Sequence, residues 1–199
     1  MPPFFALARE HGWRVIQFSH TGCPPILNVR RTDLKDVECR DAALPAQIVE
    51  AIRRAKPDVV FMIARWNLYY HGHIKNDVLV DDSFITDGPG PADAVSAKGA
   101  FERNLPETMN QLSEFSRLVV FKDTPVLKVP VDVGMSLRPG TFEPRVEEMA
   151  RFEAEINSVL DAAAASAPNA VTFDPTVRLC DGSRSPASAT SWRWARARA

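Results

Sequence analysis

The amino-acid sequence predicts an α/β fold, a three-layer α/β/α sandwich with a parallel sheet, and three observations predict it. Apolar runs of strand length alternate with segments of helix length, the pattern of units whose parallel strands need a helical crossover. The run from Val59 to Ala64, opened by Pro57 and Asp58, is rich in β-branched and large residues, as in a strand buried on both faces. That run stops at Arg65, Trp66 and Asn67. A charge, an indole and an amide then stand at the carboxyl end of a strand, where open α/β sheets keep their ligand crevice. The same cluster also fits a loop that covers the sheet end, with Arg65 paired to a carboxylate.

Each element follows from periodicity and breakers. Residues 2–11 read as a short helix and 13–18 as a strand; 20–40 form a loop broken at Pro24 and Pro25, and 41–55 a helix that Pro57 ends. After the 59–64 strand, a loop over 67–91 carries Asp81, Asp82, Asp87, Gly88 and Gly90. A helix over 96–116 and a strand over 118–122 come next, and Asp123, Thr124 and Pro125 break that strand. An irregular stretch runs to Gly140. A long helix over 144–167 has Thr141, Glu143 and Pro144 as start signals, and 169–173 forms the last strand. The order begins on a helix, whereas doubly wound folds begin on a strand, so the fold is expected to lack its first strand.

At 199 residues, 45% apolar and 25% charged, the chain suits one domain with a sizeable core. A formal net charge of −1 offers no basic excess to neutralise phosphates, which argues against a nucleic-acid partner. Arg30-Arg31 and Arg53-Arg54 are read as solvated faces. Residues 183–199 contain no Leu, Ile, Val, Phe or acidic residue and have little with which to build a core. They read as a tail, disordered or out of frame, beyond a domain over 1–182. No apolar run approaches the roughly 20 residues that span a bilayer, and no leader opens the chain, which predicts a cytoplasmic location for it as written. Cys23, Cys39 and Cys180 suit one disulfide plus an orphan, or three free thiols. Their spacing predicts no metal site, and no cofactor is expected. The acidic residues Asp77, Asp81, Asp82 and Asp87 do not match a calcium loop, because the glycine and the terminal glutamate fall wrong.

Three segments in order, His20-Thr21-Gly22-Cys23-Pro24-Pro25, Asp58 to Tyr70 with Ala64-Arg65-Trp66, and Leu179-Cys180-Asp181-Gly182, resemble the SGNH-type domain fused to membrane O-acyltransferases of the acyltransferase-3 family. That resemblance implies a flavodoxin-like sandwich of the SGNH-hydrolase type and serine-centred acyl transfer or ester hydrolysis on surface polysaccharide. It implies an acylated glycan or acyl donor as ligand, a membrane acyltransferase domain in cis and an extracytoplasmic, periplasmic setting. Carried over by position, Gly22, Arg65 and Asn67 become candidate oxyanion-wall residues, and Cys23 and Cys39 a possible disulfide. The chemistry also needs a nucleophile with a base to take its proton. The family's Gly-Asp-Ser and Asp-x-x-His occur nowhere in the chain, whose histidines are His11, His20, His71 and His73. The expectation is a partial domain, inactive alone. A reading from another class is a non-catalytic carbohydrate-binding or interaction domain that uses Trp66, Tyr69, Tyr70 and His71 as a stacking platform. The tyrosines equally suit hydrophobic cover over the sheet end.

Overall fold

The computed structural model describes residues 3–19, 22–31, 42–75, 78–80, 84–90, 92–123 and 146–179. Helix α1 (Pro3–Glu10) opens the chain, followed by the short strand β1 (Arg30–Arg31), helix α2 (Ala43–Ala55) and strand β2 (Val59–Ile63). Helix α3 (Trp66–Tyr70), strands β3 (His73–Lys75), β4 (Val78–Val80) and β5 (Ile85–Thr86), and helix α4 (Ala94–Ser113) come next. Strand β6 (Arg117–Phe121), helix α5 (Val146–Ser166), strand β7 (Ala170–Phe173) and helix α6 (Thr176–Leu179) complete the described chain.

The central sheet is parallel, in the order β2-β6-β7, with Val60 opposite Leu118 and Val120 opposite Thr172. Parallel neighbours need crossovers, and the helices supply them. Because side chains alternate along a strand, Met62, Leu118 and Val120 share one face, and all three are buried. Helix α4 packs on β6 and α5 on β7. The buried stripe of α4, Ala97, Ala100, Phe101, Leu105, Met109 and Leu112, recurs at helical spacing and faces this sheet. The mixed α/β fold with a parallel sheet is thus the one that the periodicity predicts.

The opposite face carries Val59, Phe61, Ile63, Val171 and Phe173, all exposed, Ile63 at 66%. Burial of the 59–63 strand on both faces therefore does not hold for the described residues. The Phe121 ring on the central strand instead meets the rings of Phe61 and Phe173 on either side. Strand β2 has a ladder only with β6, so it is the edge of this sheet among the described strands.

Residues 13–18 form no strand, and Trp13, Ile16 and Phe18 are exposed. Alternation alone does not hold an extended segment; a strand needs a neighbour for its N–H and C=O groups, and no described strand pairs with this one. Parts of the 20–40 and 67–91 loops are ordered by distant contacts. Strand β1 pairs antiparallel with β5, and β3 with β4. Ile26, Leu27 and Val29 join the hydrophobic core, and the Leu27 backbone N–H donates to Thr108 Oγ1 at 2.9 Å. The irregular stretch over 124–140 and the tail over 183–199 lie outside the described residues.

Helix α4 starts where its chemistry dictates. The Asp93 carboxylate accepts from the Ser96 N–H at 2.7 Å while the Ser96 hydroxyl accepts from the Asp93 N–H at 2.8 Å, a reciprocal cap. The Ser96 backbone N–H, with its hydroxyl, holds the Asp93 carboxyl below its ordinary value. Its stabilisation is therefore present above the unfolded-state pKa and lost as pH falls through the lower folded-state one. Asp93→Ala is expected to lower the melting temperature at neutral pH, with the gap from the parent chain closing in acid. Thermal melts followed by circular dichroism across pH check this, and a constant gap would refute it.

Candidate functional site

The site is built where β2 and β6 end side by side. Past Ile63 the chain passes through Ala64 and the exposed Arg65, then turns into α3. Past Phe121 it reaches Asp123, 7% exposed. The Asp123 carboxylate bridges the two strand ends. Oδ1 accepts the Trp66 N–H at 3.0 Å and Oδ2 accepts the Asn67 N–H at 2.6 Å. Both donors belong to the first turn of α3, where backbone N–H groups lack helical partners and a carboxylate is the natural acceptor. Burial pushes the Asp123 carboxyl above its usual range, against the opposing pull of the Asn67 and Trp66 N–H groups and of the Arg65 charge.

Asn67 is the residue that this clamp presents. It is 7% exposed, and both its Oδ1 and its Nδ2 are buried without a hydrogen-bond partner among the described residues. Buried polar groups are ordinarily paired, and one left unpaired costs free energy unless something answers it. An amide held in this state offers both N–H donors and an acceptor oxygen to a ligand group.

The aromatic residues beside it serve the core. Trp66 is fully buried, its indole N–H donates to the Phe121 C=O at 2.6 Å, and its ring meets Phe101 edge-on. Tyr70 is buried against Phe101, and its hydroxyl reaches Glu102 and Glu155 at 2.8 and 3.1 Å. Tyr69 is buried as well, and burial raises its pKa while the Arg31 and Arg65 charges oppose the shift. A sugar-stacking platform needs exposed ring faces, and these three rings are spent on packing. His71 stands edge-on to Tyr70, with Nε2 3.7 Å from Glu155.

Gly22 has φ of 80°, a left-handed conformation that favours glycine. Its carbonyl accepts a hydrogen bond from the Arg31 guanidinium at 2.9 Å. Arg31 is 5% exposed, so it is no solvated charge; it ties the Gly22 loop to β1 and lies within electrostatic reach of Tyr69. Arg30 is likewise engaged, with the Gly88 and Gly90 carbonyls. Arg53 and Arg54 are exposed and pair with Glu50 along α2, as a solvated face should. Cys23 is disulfide-bonded, and Cys39 and Cys180 lie outside the described residues. Asp87 is engaged with Arg103 and Asn104, while Asp77, Asp81 and Asp82 lie outside the described residues.

The structure therefore brings Arg65, Trp66 and Asn67 together at the strand ends and adds two residues that sequence reasoning missed, Asp123 and Arg31. Asp123 carried a signal, since it follows a second strand end as Arg65 follows the first. Arg31 carried none, because its burial depends on a carbonyl in another loop.

No helix among the described residues is long and apolar enough to cross a membrane. No curated protein and no solved structure matches the chain. One family model does, described as "SGNH domain (fused to AT3 domains)", and it matches residues 1–192. With the parallel sheet and its strand-end site in place, that match over nearly the whole sequence means that the chain belongs to the SGNH domain family found fused to AT3 acyltransferase domains.

Proposed function

We propose that this chain is part of the SGNH domain of a surface-polysaccharide O-acyltransferase and forms the oxyanion side of its acyl site, with Arg65 and Asn67 at the strand ends and Gly22 as the third candidate. The observation that carries the reading is the buried, unpaired Asn67 amide at the carboxyl end of β2. When a nucleophile adds to an acyl carbonyl, the π electrons move to oxygen, and a preorganised N–H donor stabilises that charge. Asn67 Nδ2 is such a donor, and the Arg65 cation beside it favours an anion. Asn67 Oδ1 remains to accept from a hydroxyl, a group that both a glycan and an attacking alcohol provide. The acyl-bearing partner is accordingly an acylated glycan or acyl donor, and the compartment is the extracytoplasmic one that suits a disulfide at Cys23.

The nucleophile and base come from outside these 199 residues. Neither Gly-Asp-Ser nor Asp-x-x-His is present. Among the described side chains, His71 is occupied with Tyr70 and Glu155 and His11 stacks on Trp13; the side chains of His20 and His73 lie outside that set. A wall without an activated nucleophile does not turn over ester. Hydrolysis of p-nitrophenyl acetate by the isolated chain is expected to match the buffer rate and to stay there in Arg65→Ala and Asn67→Ala. Turnover that either substitution abolishes would show that the chain carries a complete site and overturn the proposal.

A further inference from the structure

We propose that Asp123 is the positioning residue of this site, fixing the Asn67 amide by clamping the first turn of α3 to the end of β6. This rests on the reading of Asn67 as part of the acyl site and adds what holds it in place. Trp66 and Asn67 follow β2, and Asp123 follows β6, so the two N–H to carboxylate bonds at 3.0 and 2.6 Å join neighbouring strand ends. A carboxylate that accepts two adjacent N–H groups, one on each oxygen, fixes both the distance and the tilt of the peptide between them. That peptide joins Trp66 to Asn67. Its orientation decides where the Asn67 side chain leaves the backbone. The Trp66 indole, bonded to the Phe121 carbonyl, fastens the same turn to β6 from the apolar side. The two anchors differ in chemistry, since only Asp123 titrates.

The groups around Asp123 are Arg65, whose charge favours the carboxylate, and Tyr69, whose ionisation Asp123 opposes; Arg31 faces Tyr69 from the β1 side. Tyr69 stays neutral below neutral pH because its pKa is raised further. Acid titration of this cluster therefore reports Asp123 itself. A positioning role makes a claim that a merely structural one does not: when the Asp123 carboxylate is neutralised, the Asn67 side-chain amide, which is not hydrogen-bonded to it, moves.

The test is an amide NMR pH titration of the ¹⁵N-labelled full chain. The Trp66 and Asn67 backbone N–H signals and the Asn67 Nδ2 pair are expected to shift along one curve with a midpoint above the ordinary Asp value. The Trp66 indole N–H is expected to stay still, as the internal control for an intact core. In Asp123→Asn, whose amide accepts only one of the two N–H groups, the common curve is expected to be lost with the indole signal unchanged; Asp123→Glu restores a titrating carboxylate and a shift of the backbone pair. If the backbone signals titrate and the Asn67 Nδ2 pair does not, Asp123 is only a helix cap and the proposal falls. Should Asp123→Asn fail to fold, the titration of the parent chain decides alone. Addition of an O-acetylated xylo-oligosaccharide at neutral pH separates the two readings. A shift of the Nδ2 pair that is lost in Asp123→Asn supports both, whereas a common pH curve with no response to the oligosaccharide keeps the positioning role and removes the acyl-site reading.

Discussion

Trp66→Ala is expected to be the most damaging single truncation in the described core. Trp66 is fully buried, packs edge-on against Phe101 and donates its indole N–H to the Phe121 carbonyl. Removing a buried tryptophan to alanine costs about 3–5 kcal/mol in lost transfer free energy and cavity, and the stranded carbonyl adds about 1–3 kcal/mol. A domain holds only about 5–15 kcal/mol in total, so much of the chain's stability goes with this ring. Chemical denaturation is expected to show a midpoint collapsed toward zero denaturant. Trp66→Phe keeps most of the apolar volume and loses the N–H, so it is expected to fall between the two. A denaturation midpoint for Trp66→Ala close to that of the parent would contradict the packing of Trp66 against Phe101 and Phe121.

Asn67→Leu is expected to act in the opposite direction. The substitution removes two buried, unpaired polar atoms and replaces them with an apolar side chain of similar volume. Each unpaired group costs about 1–3 kcal/mol, and the backbone N–H of residue 67 keeps its bond to Asp123. The variant is expected to be more stable than the parent by roughly 1–3 kcal/mol and to lose every response to an acylated ligand at this position. Stability that rises as binding disappears is the signature of a residue kept for a ligand. Denaturation curves with an unchanged slope and a higher midpoint would bear this out. A lower midpoint would show that the Asn67 amide is hydrogen-bonded in solution.

What the sequence made legible follows from how local each cause is. The helices over 41–55, 96–116 and 144–167 and the strands over 59–64, 118–122 and 169–173 were readable because each carries its own apolar period and its own stop signal; the observed elements differ from them only at the ends. Lys56 shows how such a stop works. It takes a left-handed conformation, φ 46°, and donates its N–H back to the Ile52 carbonyl just before Pro57, closing α2 as a C-terminal cap does. The 13–18 segment has the right alternation but no described neighbour, and a strand is a property of a pair. Strands β1 and β5 are two residues each and exist because they meet, which no local window reveals. Arg65, Trp66 and Asn67 could be placed at a strand end from the sequence, but their division of labour could not. Only packing distinguishes the exposed cation, the core ring and the unpaired amide.

The bare side of the sheet has a consequence for how this chain behaves among copies of itself. Strand β2 ends the parallel sheet with its outer N–H and C=O groups unladdered among the described strands, and the adjoining face presents Phe61, Ile63, Val171 and Phe173 to water. An edge of this kind, with no charge or proline along Val59–Ile63, is a template for another extended chain. Two molecules that meet there exchange hydrated hydrocarbon for mutual cover. Among the described residues, this edge and its apolar face are therefore the surface on which a further strand or a second copy would find both open hydrogen bonds and hydrocarbon to cover.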